Sequence, residues 1–445
     1  MRNNLAGFGP RPRAPILLGL LASTMCLAGL SWRMALLEIP PTGLVVITLD
    51  TTRADRLPAY GFMDASMPHL DRLAREGVVF DQATSVAPLT LPAHCSLFTG
   101  LLPPAHGVRD NAAPALATAH TTLAEILQAR RFRTGAFVGS VVLDADRGLA
   151  QGFEQYRGVT PDEPPHRRER GQRRADDVIT DAIRWLDGIG EVPFFLWAHL
   201  YDAHRPYDPP EPFRSMYYDP YVGEIAFADS QIGRLLDALD QRRLLDRTIV
   251  VVAGDHGESL GDHGERDHGI FVYESVLHVP LIVRAPNVSP RRVDDLVRLV
   301  DVMPTVLDLF ELPQPRTDGA SLVDLMRGRT SHLDLEAYSE TLYPQRFGRS
   351  PLRALRAGRF KLIDAPRPEL YDLERDPFEQ RSIYQERRDL ASMLERRLVA
   401  IERGASVESA LRDAPAPSAD VRQRLASLGY IGSPPPRANP PRSSR

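Results

Sequence analysis

The 445-residue sequence holds only two cysteines, and Lys361 is the single lysine among its 54 Lys and Arg residues. Two cysteines exclude a fold built on disulfides, and one lysine leaves one candidate for any chemistry that needs an amine. The mean hydropathy of -0.25 excludes a protein with many membrane spans. The formal net charge of -4 gives no reason to expect a nucleic-acid partner. Since 43% of the residues are hydrophobic, a globular protein with a sizeable core is expected.

One long uncharged stretch, residues 14–32, follows the basic residues Arg2, Arg11 and Arg13. A helix over this stretch would be about 28 Å long, close to the hydrocarbon thickness of a bilayer. The preceding basic residues predict that residues 1–13 stay cytoplasmic and that the rest of the chain is exported. We therefore expect a membrane-anchored protein whose catalytic part is extracytoplasmic, in the periplasm or at the cell surface. Cleavage of the stretch as a signal, which would yield a secreted protein, is the alternative.

Apolar runs rich in β-branched residues alternate with stretches of helical periodicity. This alternation predicts an α/β fold with a mostly parallel sheet sandwiched by helices, over residues 43–315. Short strand patterns between residues 352 and 373 predict a small antiparallel subdomain within residues 316–400. Residues 401–445 are predicted to form a tail, disordered from about residue 434 because of its Pro, Ser and Arg content. The predicted strands are 43–49, 78–80, 135–138, 194–199, 248–253 and 279–284, and the predicted helices are 69–76, 123–129 and 221–239.

Acidic side chains stand where two of the predicted strands end. Asp50 follows the first strand, and Asp255 with His256 follows another. Because the carboxyl ends of parallel strands meet at one edge of a sheet, these side chains are expected to lie together. Two carboxylates and an imidazole suit Zn²⁺ or Mn²⁺ better than Ca²⁺, and the hydroxyl of Thr90 could complete the set. The sequence therefore predicts a site for one divalent metal ion.

Four sequence motifs occur in a characteristic order along the chain. They are Leu49-Asp50, Thr90-x-Pro92-x-His94 with Thr99-Gly100, Asp255-His256-Gly257-Glu258 and Glu369-Leu370-Tyr371-Asp372-Leu373. With these motifs the chain resembles the sulfatase family of the alkaline phosphatase superfamily, from about residue 45 to residue 286 and again in the C-terminal part. The resemblance implies the α/β fold predicted above and a metal-dependent ester hydrolase.

Several positions depart from the pattern of that family. The family's nucleophile is a Cys or Ser that becomes formylglycine, but Thr90 stands in its place, so no formylglycine is expected. The same motif ends in His94 instead of Arg, and the resemblance implies a substrate-binding role for this histidine. Thr51 replaces the usual second metal-binding Asp, and His268 replaces a Lys. In these respects the chain is similar to the branches with a Thr nucleophile: nucleotide pyrophosphatase/phosphodiesterases and phosphoglycerol and phosphoethanolamine transferases.

The resemblance implies roles for four further residues. The segment from His106 to Asn111 is similar to the His-Gly-x-x-x-Asn of the phosphodiesterases, which implies that Asn111 holds a phosphoryl oxygen; the alternative is an ordinary turn residue. His204 is implied to face the substrate or to protonate the leaving oxygen, and His268 to hold a substrate oxygen. Asp202 is assigned to substrate binding, with the alternative that it binds a second metal ion.

The chemistry of a Thr nucleophile bears on the substrate. A Thr hydroxyl needs a base or a metal ion before it can attack, and its ester must then be broken by a second displacement. Formylglycine hydrate releases sulfate by a route that Thr lacks, whereas a phosphoryl-threonine can be attacked again at phosphorus. We therefore expect a covalent Thr90 intermediate and favour a phosphoester or phosphodiester of a small molecule, glycan or lipid. The alternatives are a sulfuric ester hydrolase acting on sulfated glycans, a phosphoalcohol transferase to an envelope acceptor, and a catalytically dead binding module.

Overall fold

The computed structural model describes residues 40–159, 172–405, 418–427 and 430. From residue 41 onward these residues belong to one compact unit. Within them, no helix is both long enough and apolar enough to span a bilayer. The proposed anchor, residues 14–32, lies outside the described residues, as does the tail from residue 434.

Two sheets and the helices around them make up the regular structure of the described residues. The larger sheet contains β1 (Gly43–Leu49), β2 (Val78–Thr84), β3 (Arg133–Val138), β4 (Gln155–Arg157), β5 (Phe194–Leu200), β6 (Thr248–Gly254), β7 (Leu281–Arg284) and β8 (Arg291–Arg298). The smaller sheet contains β9 (Glu336–Thr341), β10 (Leu352–Ala357), β11 (Phe360–Asp364) and β12 (Glu369–Asp372). The helices are α1 (Pro68–Glu76), α2 (Thr90–Thr99), α3 (Pro103–His106), α4 (Leu123–Ala129), α5 (Ala175–Ile189), α6 (Phe213–Met216), α7 (Pro220–Gln241), α8 (Glu274–Leu277), α9 (Val302–Leu309), α10 (Val323–Met326), α11 (Arg388–Ala405) and α12 (Ala419–Ser427).

The larger sheet is mostly parallel, as predicted. Its strand order is β4-β3-β5-β1-β6-β7-β2-β8, and among the described strands β7 alone runs antiparallel to its neighbours. Alternate residues of β1 point into two different apolar clusters, with Leu44 and Val46 in one and Val45 and Ile47 in the other. Helices α2, α4 and α9 contribute to the first cluster, and α1, α5 and α7 to the second. The sheet is therefore buried on both faces by helices.

Two strands at the edges of the larger sheet have no counterpart in the sequence prediction. β4 is three residues long and partly exposed. β8 includes the charged residues Arg291, Arg292, Asp294 and Asp295, and half of its residues are not buried. Neither shows the continuous apolar run that marks a strand packed on both faces, so periodicity misses them.

The smaller sheet is antiparallel throughout, with the order β12-β11-β10-β9, which confirms the predicted antiparallel subdomain. It begins earlier than the predicted strand patterns, at Glu336. Leu355 of β10 and Leu362 of β11 belong to the same apolar cluster as Leu44 of β1. The two sheets therefore share one core.

The single lysine lies in this smaller sheet and is 1% exposed. Its Nζ is 2.8 Å from Oε1 of Glu274 and 2.9 Å from Oε1 of Glu379. Burial opposes ionisation of Glu274, but the charges of Lys361 and Arg356, with His278, together bring the pKa of this carboxyl down to about 2. Lys361 is therefore a structural residue that neutralises buried carboxylates.

Lys361→Met tests this role. The change leaves Glu379 buried without its cation and Glu274 with Arg356 alone, so we expect the free energy of unfolding to fall by about 3–5 kcal/mol in urea titrations. Arg375→Ala is the control, because this side chain is 81% exposed and lies 3.8 Å from Asp372; its effect should be under about 0.5 kcal/mol. Equal stability of the two variants would contradict the structural role.

Candidate metal-dependent active site

The metal-binding residues predicted from the sequence lie together at the carboxyl edge of the larger sheet. β1 and β6 are parallel neighbours whose last residues, Leu49 and Gly254, are in register. Asp50 and Asp255 follow these residues directly, so their carboxylates meet beyond the strand ends. Within the described residues, Asp50, Asp255 and His256 place their possible ligand atoms within 4.8 Å of one another, and all three are buried.

The backbone around Asp255 and His256 holds both side chains in place. Oδ1 of Asp255 accepts hydrogen bonds from the backbone N–H of His256 (2.7 Å) and of Thr51 (3.1 Å). Gly257 follows, and a Cβ at this position would lie 2.2 Å from the carbonyl oxygen of Ser275, so only glycine fits. Nδ1 of His256 lies 2.9 Å from the carbonyl oxygen of Gly257. Because a carbonyl only accepts, Nδ1 carries the proton and Nε2 presents its lone pair to the site.

Thr90 faces this cluster from the first position of helix α2. Its Oγ1 is 3.3 Å from Nε2 of His256 and 3.5 Å from Oδ2 of Asp50. The whole helix is buried in the described structure, and the Thr90 side chain is 0% exposed. The hydroxyl is therefore fixed beside the same groups that would bind a cation.

The charges of this cluster lack a counter-ion among the described side chains. Burial raises the pKa of Asp50 to about 7, and burial followed by the charge of Asp50 raises the pKa of Asp255 to about 7. Several polar atoms here are buried without a hydrogen-bond partner: Oδ1 of Asp50, Oδ2 of Asp255, Oγ1 of Thr51 and Nε2 of His199. Buried acceptors without donors are costly, and a divalent cation would satisfy them. The residues present therefore fit a metal ion.

His94 and His199 lie beneath the metal-binding residues in one hydrogen-bonded network. Nδ1 of His94 donates to the carbonyl oxygen of Thr90 (2.7 Å), so its Nε2 accepts from the hydroxyl of Thr48 (3.0 Å). The same hydroxyl oxygen accepts from Trp197 Nε1 and from Nδ1 of His199, each at 3.0 Å. Both ring nitrogens of His94 are thus engaged inside the protein. The implied substrate-binding role of His94 does not agree with this geometry, which makes it a positioning residue for Thr90.

This network fixes which nitrogen of His199 carries the proton and brings the other nitrogen beside Asp50. Since its Nδ1 donates to Thr48, its Nε2 carries a lone pair, and this atom lies 3.2 Å from Oδ2 of Asp50. Two acceptors so close repel each other unless a proton or a cation lies between them. Sequence reasoning gave His199 no function; the available signal is a histidine at the end of the otherwise apolar run from Phe194 to Ala198.

Asn111 lies where a substrate-binding amide is expected. Its Oδ1 accepts the backbone N–H of Leu91 at 2.9 Å, which orients the amide. Its Nδ2 is buried without a hydrogen-bond partner. Arg147 fixes the backbone of this loop by donating to the carbonyl oxygen of Asn111 at 3.0 Å. The amide thus offers a free donor, as predicted for a residue that binds a substrate oxygen.

Three histidine rings form a row on the open side of the cluster. The ring centres of His256 and His268 are 4.5 Å apart, and those of His268 and His204 are 5.1 Å apart. Nδ1 of His268 lies 3.1 Å from Oε1 of the buried Glu258, and Nδ1 of His204 lies 2.7 Å from the carbonyl oxygen of Arg205. The structure therefore brings His204 and His268 next to the metal-binding residues, as the resemblance implies.

Asp202 departs from the sequence prediction. Both of its carboxylate oxygens accept the backbone N–H of Ala175, at 3.1 and 3.0 Å, at the start of helix α5. The negative charge is favourable there because of the unpaired N–H groups at a helix N-terminus. Asp202 therefore caps helix α5, an arrangement that does not favour the predicted roles in substrate binding or in a second metal site.

Comparison with known proteins agrees with this site. The sequence matches the family described as Sulfatase over residues 43–312, and the C-terminal family of N-sulphoglucosamine sulphohydrolase over residues 261–404. It is 25% identical over 393 residues to the ulvan-active sulfatase of Formosa agariphila, covering 76% of each chain. It is 36% identical over 167 residues to the choline-sulfatase of Rhizobium meliloti, covering 36% of this chain and 31% of that one.

Solved structures show the same fold. The phosphonate monoester hydrolase of Agrobacterium radiobacter superposes with a TM-score of 0.71 at 22% identity, covering 82% of this chain and 96% of that one. A structure that holds its substrate D-glucosamine-2-N,6-O-disulfate has the same TM-score at 21% identity, covering 84% of this chain and 99% of that one.

The chain belongs to the sulfatase family of the alkaline phosphatase superfamily. It is an ester hydrolase of a metal-dependent family.

Metal binding should depend on pH in a defined direction. In metal-free protein the pKa of Asp50 and Asp255 rises from 3.8 unfolded to about 7 folded, so their contribution to stability is largest below pH 3.8 and is lost as the pH rises through about 7. A cation favours the ionised carboxylates. We expect Mn²⁺ or Zn²⁺ to raise the melting temperature of chelator-treated protein, more at about pH 8 than at about pH 5.5. At an ion concentration of 100 times Kd, the free energy of unfolding should rise by about 2.7 kcal/mol.

Asp50→Asn tests whether the ion binds at this site, and Asp295→Asn is the matched control. Asp295 lies on β8, at the edge of the larger sheet, and its carboxylate pairs with His332 at 3.3 Å. The first variant should lose the metal-induced rise in melting temperature and the second should keep it. An equal rise in both variants would show that the ion binds elsewhere.

Proposed function

We propose that this protein hydrolyses a phosphoric or sulfuric ester through a covalent intermediate on Thr90, with a phosphoester or phosphodiester as the favoured substrate. The observation that carries the proposal is the position of the Thr90 hydroxyl, within 3.5 Å of both a buried carboxylate and a buried imidazole. The chemistry of this hydroxyl is that of a nucleophile.

Asp50, Asp255 and His256 would hold the metal ion, with Thr90 beside them. Two oxygen ligands and one imidazole favour Zn²⁺ or Mn²⁺ over Ca²⁺. When bound, such an ion lowers the pKa of a neighbouring hydroxyl and offsets negative charge on substrate oxygens. The proposal requires one ion, because Asp202 is committed to a helix N-terminus.

The side chains around Thr90 have distinct tasks in this reaction. Oγ1 of Thr90 forms the new bond to phosphorus while the bond to the alcohol oxygen breaks, and the proton of the Thr90 hydroxyl ends on the departing alcohol. Asn111 Nδ2 donates to a non-bridging oxygen, where negative charge concentrates in the transition state. A water molecule then attacks phosphorus, and Nε2 of His204 accepts the proton of that water. The bond between phosphorus and Oγ1 of Thr90 breaks, and the proton passes to Oγ1, which restores the hydroxyl. His204 suits this step because burial, followed by the charge of His268, holds its pKa well below the usual value, so the ring is neutral.

The substrate preference follows from the second step. Formylglycine hydrate expels sulfate by collapse to the aldehyde, without a second attack on sulfur. An ester of Thr90 has no such route, because its Cβ carries no second hydroxyl. It must be cleaved by attack on phosphorus or sulfur, and a phosphoryl ester beside a metal ion is the better electrophile for that attack.

A sulfuric ester is the second candidate, and the names of the relatives favour it. Both curated relatives above are sulfatases, of ulvan and of choline sulfate by their names. A sulfated glycan or a small sulfate ester would enter the same site. The second displacement would then take place at sulfur.

Thr90→Ala should abolish hydrolysis of whichever ester the wild-type protein cleaves, by more than about 10⁴-fold in kcat, because the nucleophile is lost. Thr90→Ser keeps a hydroxyl and should retain measurable activity. Thr99→Ala, at the other end of the same helix, is the matched control, because Oγ1 of Thr99 bonds only backbone atoms. The assay compares aryl phosphate monoesters, aryl phosphodiesters and aryl sulfates, with metal-loaded protein.

Radiolabelled phosphate and sulfate esters separate the two candidates. A quenched reaction should leave phosphate, and not sulfate, on the peptide that contains Thr90. Label from the sulfate ester alone would overturn the phosphoester preference while keeping the Thr90 intermediate. Undiminished hydrolysis by Thr90→Ala would overturn the intermediate itself.

We propose further that the catalytic part acts outside the cytoplasm, tethered by residues 14–32. The support is the sequence alone: an uncharged stretch of bilayer length preceded by Arg2, Arg11 and Arg13. In cells, the full chain should sediment with membranes and be digested by protease added from the extracytoplasmic side. Replacing Leu17, Leu18 and Leu20 by Arg should abolish membrane sedimentation. Full protection from that protease would contradict the proposed orientation.

A further inference from the structure

Tyr430 reaches the active site from the far C-terminal part of the chain, beyond the smaller sheet. It is 5% exposed although it lies within the segment that the sequence predicts to be a tail. Its backbone N–H bonds the carbonyl oxygen of Leu425 at 2.8 Å, and Leu425 is itself completely buried on helix α12. Arg424 donates to the carbonyl oxygen of Val159 at 3.2 Å. These contacts attach the segment to the catalytic core.

The hydroxyl of Tyr430 lies among the groups expected to bind the substrate. It is 3.3 Å from Nε2 of His268 and 3.5 Å from Nε2 of His204. Burial, followed by the charge of Asp50, raises the pKa of Tyr430 well above its usual value, so its hydroxyl stays protonated. The ring of Tyr343 packs edge-on against that of Tyr430, with 6.2 Å between centres.

The protonation pattern of the two histidines shows why a further donor matters. Nδ1 of His204 faces the carbonyl oxygen of Arg205, so it holds the proton and Nε2 is an acceptor. Nδ1 of His268 lies 3.1 Å from Oε1 of Glu258, whose other oxygen accepts from Tyr207, and Nε2 of His268 faces the Tyr430 hydroxyl. An ester of phosphoric or sulfuric acid presents oxygens that need donors. His204 supplies none on the side that faces the site.

Amine donors do not fill this gap. The only lysine of the chain, Lys361, is buried between Glu274 and Glu379 in the smaller sheet. Arg205, which neighbours His204, pairs with Asp267 at the surface. Among the described side chains, Nδ2 of Asn111 and the hydroxyl of Tyr430 are two uncharged donors placed around the reacting group.

We propose that Tyr430 is a substrate-binding residue whose hydroxyl donates to an oxygen of the bound ester, so that the C-terminal segment completes the active site. The proposal rests on the proposed function. In the free protein the hydroxyl donates to Nε2 of His204, which lies 3.5 Å away, and on substrate binding it turns this donor to the ester oxygen. The ring of Tyr430 remains as a wall of the site, packed against Tyr343.

Tyr430→Phe in the full-length, metal-loaded protein tests the hydroxyl while keeping the ring. If the donor acts on charge that develops in the transition state, kcat should fall by about 10²-fold with little change in KM. Binding of inorganic phosphate or sulfate, measured by calorimetry, should weaken by about tenfold. Tyr384→Phe is the matched control, because its hydroxyl bonds Glu395 in the C-terminal part at 2.8 Å, and it should leave both quantities unchanged.

Each other result overturns the proposal. A rise in kcat/KM in Tyr430→Phe would show an inhibitory plug, and unchanged kcat and anion binding would show a purely structural residue. Melting temperatures of both variants exclude a loss through unfolding. Failure of the proposed function gives a different result, because the wild-type protein would then cleave no ester. The anion-binding comparison still decides on Tyr430, because equal binding by wild type and Tyr430→Phe contradicts the donor role.

Discussion

Two carboxylates buried side by side, with no counter-charge among the described side chains, are the constraint on which the site depends. They meet because β1 and β6 are parallel neighbours that end in register, which places Asp50 and Asp255 at one level. Like charges in a medium of low dielectric repel strongly, so the surrounding structure is stable with ionised carboxylates only when a cation compensates them. The lone pair of His256 and the hydroxyl of Thr90 point to the same place.

Much of this could be predicted from residues alone, for a physical reason. A strand buried on both faces has a continuous apolar run, and the acid that follows such a run stands out in a sequence. Asp50 and Asp255 were therefore predictable, as was the edge of the sheet at which they meet. Asn111 was assigned by resemblance, and its orientation comes from one backbone hydrogen bond to Leu91.

The remaining parts depend on contacts that no local pattern encodes. His199 acquires its position because β5 pairs with β1 and sets Thr48 opposite His199. His94 and Asp202 belong to motifs that suggest chemistry, yet each has its polar atoms bound inside the protein, to Thr90 and to Ala175. Along the sequence, the whole smaller sheet lies between Tyr430 and the strands that carry the site. Its approach to His268 therefore follows from tertiary packing alone.

The core shared by the two sheets has a consequence for how such proteins can be recombined. Leu44 of β1, the strand that leads to Asp50, and Leu362 of the smaller sheet belong to one continuous apolar cluster. Side chains in such interiors interlock at crystal-like density, so a C-terminal half taken from a related enzyme would bring mismatched shapes against β1. Chimeras joined between the sheets should therefore lose order first at the catalytic strand ends, far from the junction itself.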